Sequence, residues 1–176
     1  MKLILLGGNS KYNKDWIEKV ELALSDIFDT TYIQYYEHWL DDSKKGIDLE
    51  IELKKLKEYV KDTKDYMIFA KSAGSILTVK GCVEKVIRPE RCVFTGFAYP
   101  WAMGRKIDID NLLRNYFVPT MFIQESKDPA LSYKQLTEII YKLRVPNTTM
   151  QEIPGNDHNY EDIEKLKELI QNYINL

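Results

Sequence analysis

Short apolar runs alternate along this chain with longer stretches in which apolar residues return every three or four positions. The runs are rich in β-branched and aromatic residues and predict strands over residues 2–6, 31–36, 66–70, 91–97, 120–125 and 148–153. The stretches between them predict helices over residues 15–28, 48–61, 73–83, 109–115, 131–143 and 160–174. Ile163, Leu166, Leu169, Ile170 and Tyr173, for example, form one apolar stripe on the last helix. Pro89, Pro119, Pro146 and Pro154 fall between elements or at their ends, where a fixed φ and a missing N–H do no damage. Strands such as Tyr66-Met67-Ile68-Phe69-Ala70 are apolar on both faces, as in a parallel sheet covered by helices on both sides. Strict alternation of strand and helix therefore predicts an α/β fold: a doubly wound, mostly parallel six-stranded sheet with right-handed crossovers. Repeats, low-complexity tracts and interdomain linkers are missing from the pattern, so residues 1–176 are expected to form a single domain.

Composition narrows the function. At 176 residues, with 44% hydrophobic and 30% charged residues, the chain is long enough for one substantial core. A formal charge of −2 leaves no basic footprint, so no nucleic-acid partner is expected. Lysines are interleaved with acids, as in Glu52-Leu53-Lys54-Lys55-Leu56-Lys57-Glu58, the pattern of a solvated helix face. The N-terminal run Leu3-Ile4-Leu5-Leu6 is too short for a signal-peptide core or a membrane span and reads as the first strand of a cytoplasmic protein. Cys82 and Cys92 form no C-x-x-C pair and are expected as free thiols. His38 and His158 lack metal-ligand spacing, so neither a metal nor a cofactor is implied.

In open α/β sheets, sites lie beyond the carboxyl ends of the strands. Three residues with the means for acyl transfer occupy such positions: Ser72 after the third strand, Asp128 after the fifth and His158 after the sixth. Ser72 lies in Ala70-Lys71-Ser72-Ala73-Gly74, an A-x-S-x-G variant of the G-x-S-x-G turn that aims a serine between a strand and a helix. Serine at this position is also an ordinary helix cap. A serine hydroxyl needs a nearby base, which His158 can supply, and an acid to orient that base. Asp128 is favoured as the acid, with Glu125 and Asp157 as rivals.

The chain order Ser, Asp, His and the loop Gly155-Asn156-Asp157-His158-Asn159-Tyr160 resemble small α/β hydrolases of the serine esterase or dienelactone-hydrolase-like type. The resemblance covers essentially the whole chain. It implies a minimal α/β-hydrolase fold and a serine hydrolase that cleaves a small ester or thioester through an acyl-enzyme, with Ser72, His158 and Asp128 as nucleophile, base and orienting acid. It also implies an oxyanion hole from the amide of Ala73 and that of Asn9 or its neighbour Gly8. The chain departs from the family at Ala70 in place of glycine, at Lys71 before the serine, and at Gly7-Gly8-Asn9-Ser10 without a His-Gly. Residues 98–116, with Trp101 and Met103, fall where lids occur, and these two side chains with Trp39 are candidates for an acyl pocket. Two other functions fit the fold class: a hydrolase-like scaffold that binds without turnover, and a nucleotide-binding module using Gly7-Gly8 and Glu37.

Overall fold

The structure is a computed structural model that describes residues 1–175. Its centre is one six-stranded, wholly parallel sheet, ordered β2-β1-β3-β4-β5-β6. The strands are β1 (Lys2–Leu6), β2 (Thr30–Ile33), β3 (Tyr66–Lys71), β4 (Arg91–Thr95), β5 (Thr120–Glu125) and β6 (Thr148–Ile153). Every residue of β3 and β5 is buried, as the two-sided apolar runs predict. β2 and β6 form the edges and are only partly covered.

Eight helices are described, against six predicted: α1 (Asn13–Leu24), α2 (Glu37–Leu40), α3 (Leu49–Val60), α4 (Ala73–Val83), α5 (Tyr99–Gly104), α6 (Ile109–Arg114), α7 (Tyr133–Leu143) and α8 (Ile163–Ile174). The two additions, α2 and α5, are too short to show a period. α1 packs on α8, while α3, α5 and α6 gather around α4. This division follows from topology. The chain winds outward from β1 to β2, then returns past β1 to β3 and winds the other way, and reversing a right-handed crossover moves its helix to the opposite face. The reversal leaves a crevice beyond the carboxyl ends of β1 and β3.

Several predicted boundaries move because a side chain is used elsewhere. β2 stops at Ile33, where Gln34 turns its amide to the main-chain carbonyl and carboxylate of Glu52. β4 stops at Thr95, because Gly96 adopts φ 59° and the Phe97 amide turns to Gln124. α3 begins after Asp48, whose carboxylate caps the amides of Glu50 and Ile51 at 3.1 Å. α8 begins at Ile163 and not at Tyr160, which sits at φ 59° with its side chain in the interior. Among the described residues, no helix is long and apolar enough to cross a membrane.

Candidate active site

β3 ends in a turn that aims Ser72 out of the sheet. Ser72 takes φ 50° and ψ −119°, a strained conformation for a residue with a Cβ. It is held by its amide, which donates to Thr95 O at 3.0 Å, and by its carbonyl, which accepts from the Ser75 amide and hydroxyl. Gly74 explains the small residue that follows. A Cβ there would lie 2.7 Å from the carbonyl oxygens of both Leu6 and Gly7, so only glycine lets α4 approach β1 this closely. Ala70 is fully buried in register with Leu6 and Phe94, and the sharp turn forms with alanine in the place of the expected glycine.

Ser72, Asp128 and His158 converge although they come from three loops. His158 Nε2 lies 3.2 Å from Ser72 Oγ, and His158 Nδ1 lies 2.7 Å from Asp128 Oδ2. The tautomer follows from the partners: a carboxylate only accepts, so Nδ1 carries the proton and Nε2 is free to accept from the Ser72 hydroxyl. The Asp128 side chain is wholly buried, while that of His158 keeps 31% of its surface exposed towards the cleft. Burial pushes the Asp128 carboxyl up, but bonds from His158, Tyr160 and the Ala130 amide outweigh it and hold the group below its ordinary value.

The rival acids have other work. Glu125 accepts from the Asp157 amide at 3.0 Å and is pushed up by burial, and Asp157 accepts from the Asn159 amide at 2.6 Å. The first bond fastens the histidine loop to the end of β5, and the second folds the loop on itself. A Cβ at Gly155 would fall 2.1 Å from Glu125, so the loop passes this point only as glycine.

A cleft of about 550 Å³ opens beside Ser72 and His158, at the crevice set by the winding reversal. The β1–α1 loop and α1 form one wall, through Asn9, Tyr12, Asn13 and Trp16, and the histidine loop forms the other. Asn9 therefore reaches the site, whereas Gly8 is not among the lining residues. The Asn9 carbonyl is held by His38 Nε2 at 2.6 Å and its side chain by the Ile47 amide at 2.9 Å. Ala73 stands at the first position of α4, and among the described residues neither its amide nor that of Asn9 donates a hydrogen bond.

The expected acyl-pocket residues are not brought together. Met103 lies on a separate groove between α5 and α7, Trp101 is covered by the Arg105 guanidinium at 4.5 Å, and Trp39 is buried against Gly7. The excursion over residues 98–116 packs α5 and α6 on α4, buries Ala102, Ile109 and Leu113, and contributes no residue to the cleft lining. Glu37 pairs with Lys44 and Lys55 and also lies away from the cleft.

Several neighbours of the site were not predicted. Lys71 is buried, with its Nζ 4.2 Å over the Trp16 ring and donating to Asn159 O at 2.7 Å. Burial lowers it to about 8 despite the opposing field of Asp157, Asp128, Glu125 and Glu161. Gln124 and Tyr160 both donate to Asp128. Of these, Gln124 left a signal in the sequence, as a polar residue inside a strand otherwise buried on both faces.

No protein-family model matches the chain, and no curated protein sequence matches it. Solved structures do. The MGS-M2 α/β hydrolase from a deep-sea metagenome superposes with a TM-score of 0.70 over 99% of this chain and 89% of its own, at 13% identity. The chain has the α/β-hydrolase fold. Other structures of similar shape are the carboxylesterase CesB of Bacillus subtilis (TM-score 0.72, 14% identity, 98% of this chain and 83% of that one) and an uncharacterized Bacillus cereus protein (0.74, 16%, 99% and 60%). The chain thus spans under two thirds of the Bacillus cereus protein. Within this α/β-hydrolase fold, the serine turn follows the third strand in the chain, and the acid and the histidine follow the last two strands.

Proposed function

We propose that this protein is a serine hydrolase that cleaves a carboxylic ester or thioester of a small acyl substrate through an acyl-enzyme intermediate. The observation that carries the reading is the continuous chain from Ser72 Oγ to His158 Nε2 at 3.2 Å and from His158 Nδ1 to Asp128 Oδ2 at 2.7 Å. As Ser72 attacks the carbonyl carbon, His158 Nε2 takes its proton, and the buried Asp128 carboxylate stabilises the imidazolium. The same proton then passes to the departing alcohol or thiol. Water deprotonated by His158 next attacks the acyl-enzyme and releases the acid. Negative charge on the carbonyl oxygen is met by the amides of Ala73 and Asn9, and removing one such donor typically costs about a hundred- to a thousandfold in rate.

The fold analogy to the carboxylesterase CesB is consistent with this chemistry, and the polar residues of the cleft suit a hydrophilic leaving group. Treatment with a fluorophosphonate probe tests the reading directly. Wild type is expected to label stoichiometrically and to turn over p-nitrophenyl acetate, and Ser72→Ala to do neither. An unlabelled wild type, or equal labelling of the variant, would overturn it.

A further inference from the structure

Asp128 Oδ2 accepts three hydrogen bonds: from His158 Nδ1 at 2.7 Å, from the Tyr160 hydroxyl at 2.7 Å and from Gln124 Nε2 at 3.1 Å. Its other oxygen accepts from the Ala130 amide at 2.8 Å. The direction of the Tyr160 bond is forced. The Glu125 amide donates to the same phenol oxygen at 3.2 Å, so the one phenolic proton is left for the carboxylate.

Tyr160 is held in place at some cost. The residue is 1% exposed and adopts φ 59°, a conformation costing about 1 kcal/mol or more for a side chain larger than glycine. Its carbonyl accepts from Trp16 Nε1 at 2.9 Å. Its ring stands edge-on to His158 with centroids 5.9 Å apart. A Cβ on Gly96 would come within 2.8 Å of the Tyr160 ring and 2.9 Å of the His158 ring, so both rings share a slot that only glycine leaves open. The Glu125 amide satisfies the phenol only as an acceptor, and its buried proton still needs an acceptor of its own. The strained backbone places the Asp128 carboxylate as that acceptor.

We infer that Tyr160 is a positioning residue whose hydroxyl pins Asp128 Oδ2 in the orientation that holds His158 towards Ser72. Its catalytic consequence rests on the serine hydrolase reading above. Gln124 is a second clamp, but it also accepts from the Phe97 amide at 3.0 Å and donates to Leu131 O at 2.6 Å. Removing it would unpair main-chain groups. Tyr160→Phe deletes one oxygen and keeps the ring.

The test compares wild type, Tyr160→Phe and Tyr116→Phe in the full chain. Tyr116 is a buried phenol bonded to Thr120 away from the cleft, and it controls for loss of any interior hydroxyl. For Tyr160→Phe, kcat on p-nitrophenyl acetate is expected to fall about tenfold with KM held, the factor for one hydrogen bond to a charged group. The midpoint of the Asp128 carboxyl 13C titration is expected to rise by about half a pH unit or more. His158, Glu125, Asp157 and Lys71, the charged or titratable groups around Asp128, are the same in all three proteins. Tyr116→Phe is expected to change neither quantity. An unmoved midpoint with unchanged kcat in Tyr160→Phe would overturn the inference. Should that variant fail to fold, site-specific 3-fluorotyrosine at position 160, a stronger donor, is expected to lower the midpoint, and no movement would again overturn it. The titration needs neither probe nor turnover. A wild type that resists fluorophosphonate while its midpoint responds to Tyr160 would sink the hydrolase reading and leave the clamp standing.

Discussion

At the residue scale, Ser72 and Gly74 share one constraint. A serine at φ 50° costs on the order of 1–3 kcal/mol, which the surrounding main-chain bonds must supply. Gly74 brings α4 against the carbonyls of Leu6 and Gly7, just before the loop that carries Asn9. Main-chain oxygens cannot move aside as a side-chain tip can. Gly74→Ala is therefore expected to destabilise the protein by about 1–3 kcal/mol in urea denaturation and to cut turnover by displacing that loop. Gly104→Ala, where an added Cβ meets nothing within 4 Å, is the matched comparison and should stay within about 1 kcal/mol of wild type.

At the element scale, Asp48 offers a clean measurement, because its two capping bonds start α3 and its side chain does not line the cleft. Asp48→Ala should cost about 1 kcal/mol in thermal unfolding and leave kcat unchanged. Asp48 also shows what limits a reading from pattern alone, since a cap looks like the first residue of the helix it serves. β1, β5, β6 and α4 have the predicted bounds, because each is bounded by a glycine, a proline or a charge next to it in the chain: Gly7, Pro119, Pro154 and Glu84. Boundaries moved where a residue answers to a distant partner, as Tyr160 does to Asp128, which lies 32 positions earlier. Ser72, Asp128 and His158 were legible because position after a strand is a local property. Tyr160, Trp16 and Lys71 acquire their places only when α1 packs on α8, which no local period records.

For the whole molecule, the buried Lys71 makes stability depend on pH in a way that surface lysines do not. Its folded value of about 8 lies below the ordinary 10.5, so between these limits the unfolded chain binds more protons and stability rises with pH. The gap is worth about 3 kcal/mol. Wild type should accordingly gain about that much over Lys71→Met when urea unfolding is measured at pH 11 in place of pH 7, and a constant difference would refute the assignment. Asp128 acts at the other end of the scale. Its lowered carboxyl contributes stability above the ordinary carboxylate range that is lost as pH falls through its folded value. The sheet, too, has a consequence for how function appears in time. Ser72 and His158 are 86 positions apart, and the histidine loop is fastened by Glu125 and Lys127 at and just past the end of β5 and by contacts through His158, Tyr160 and Lys71. A chain folded through β5 alone would hold Ser72 and Asp128 without His158. On the serine hydrolase reading, turnover would be a clock for the last strand and its loop to dock: a refolding population would regain its helical signal early and stay catalytically silent until that closing step.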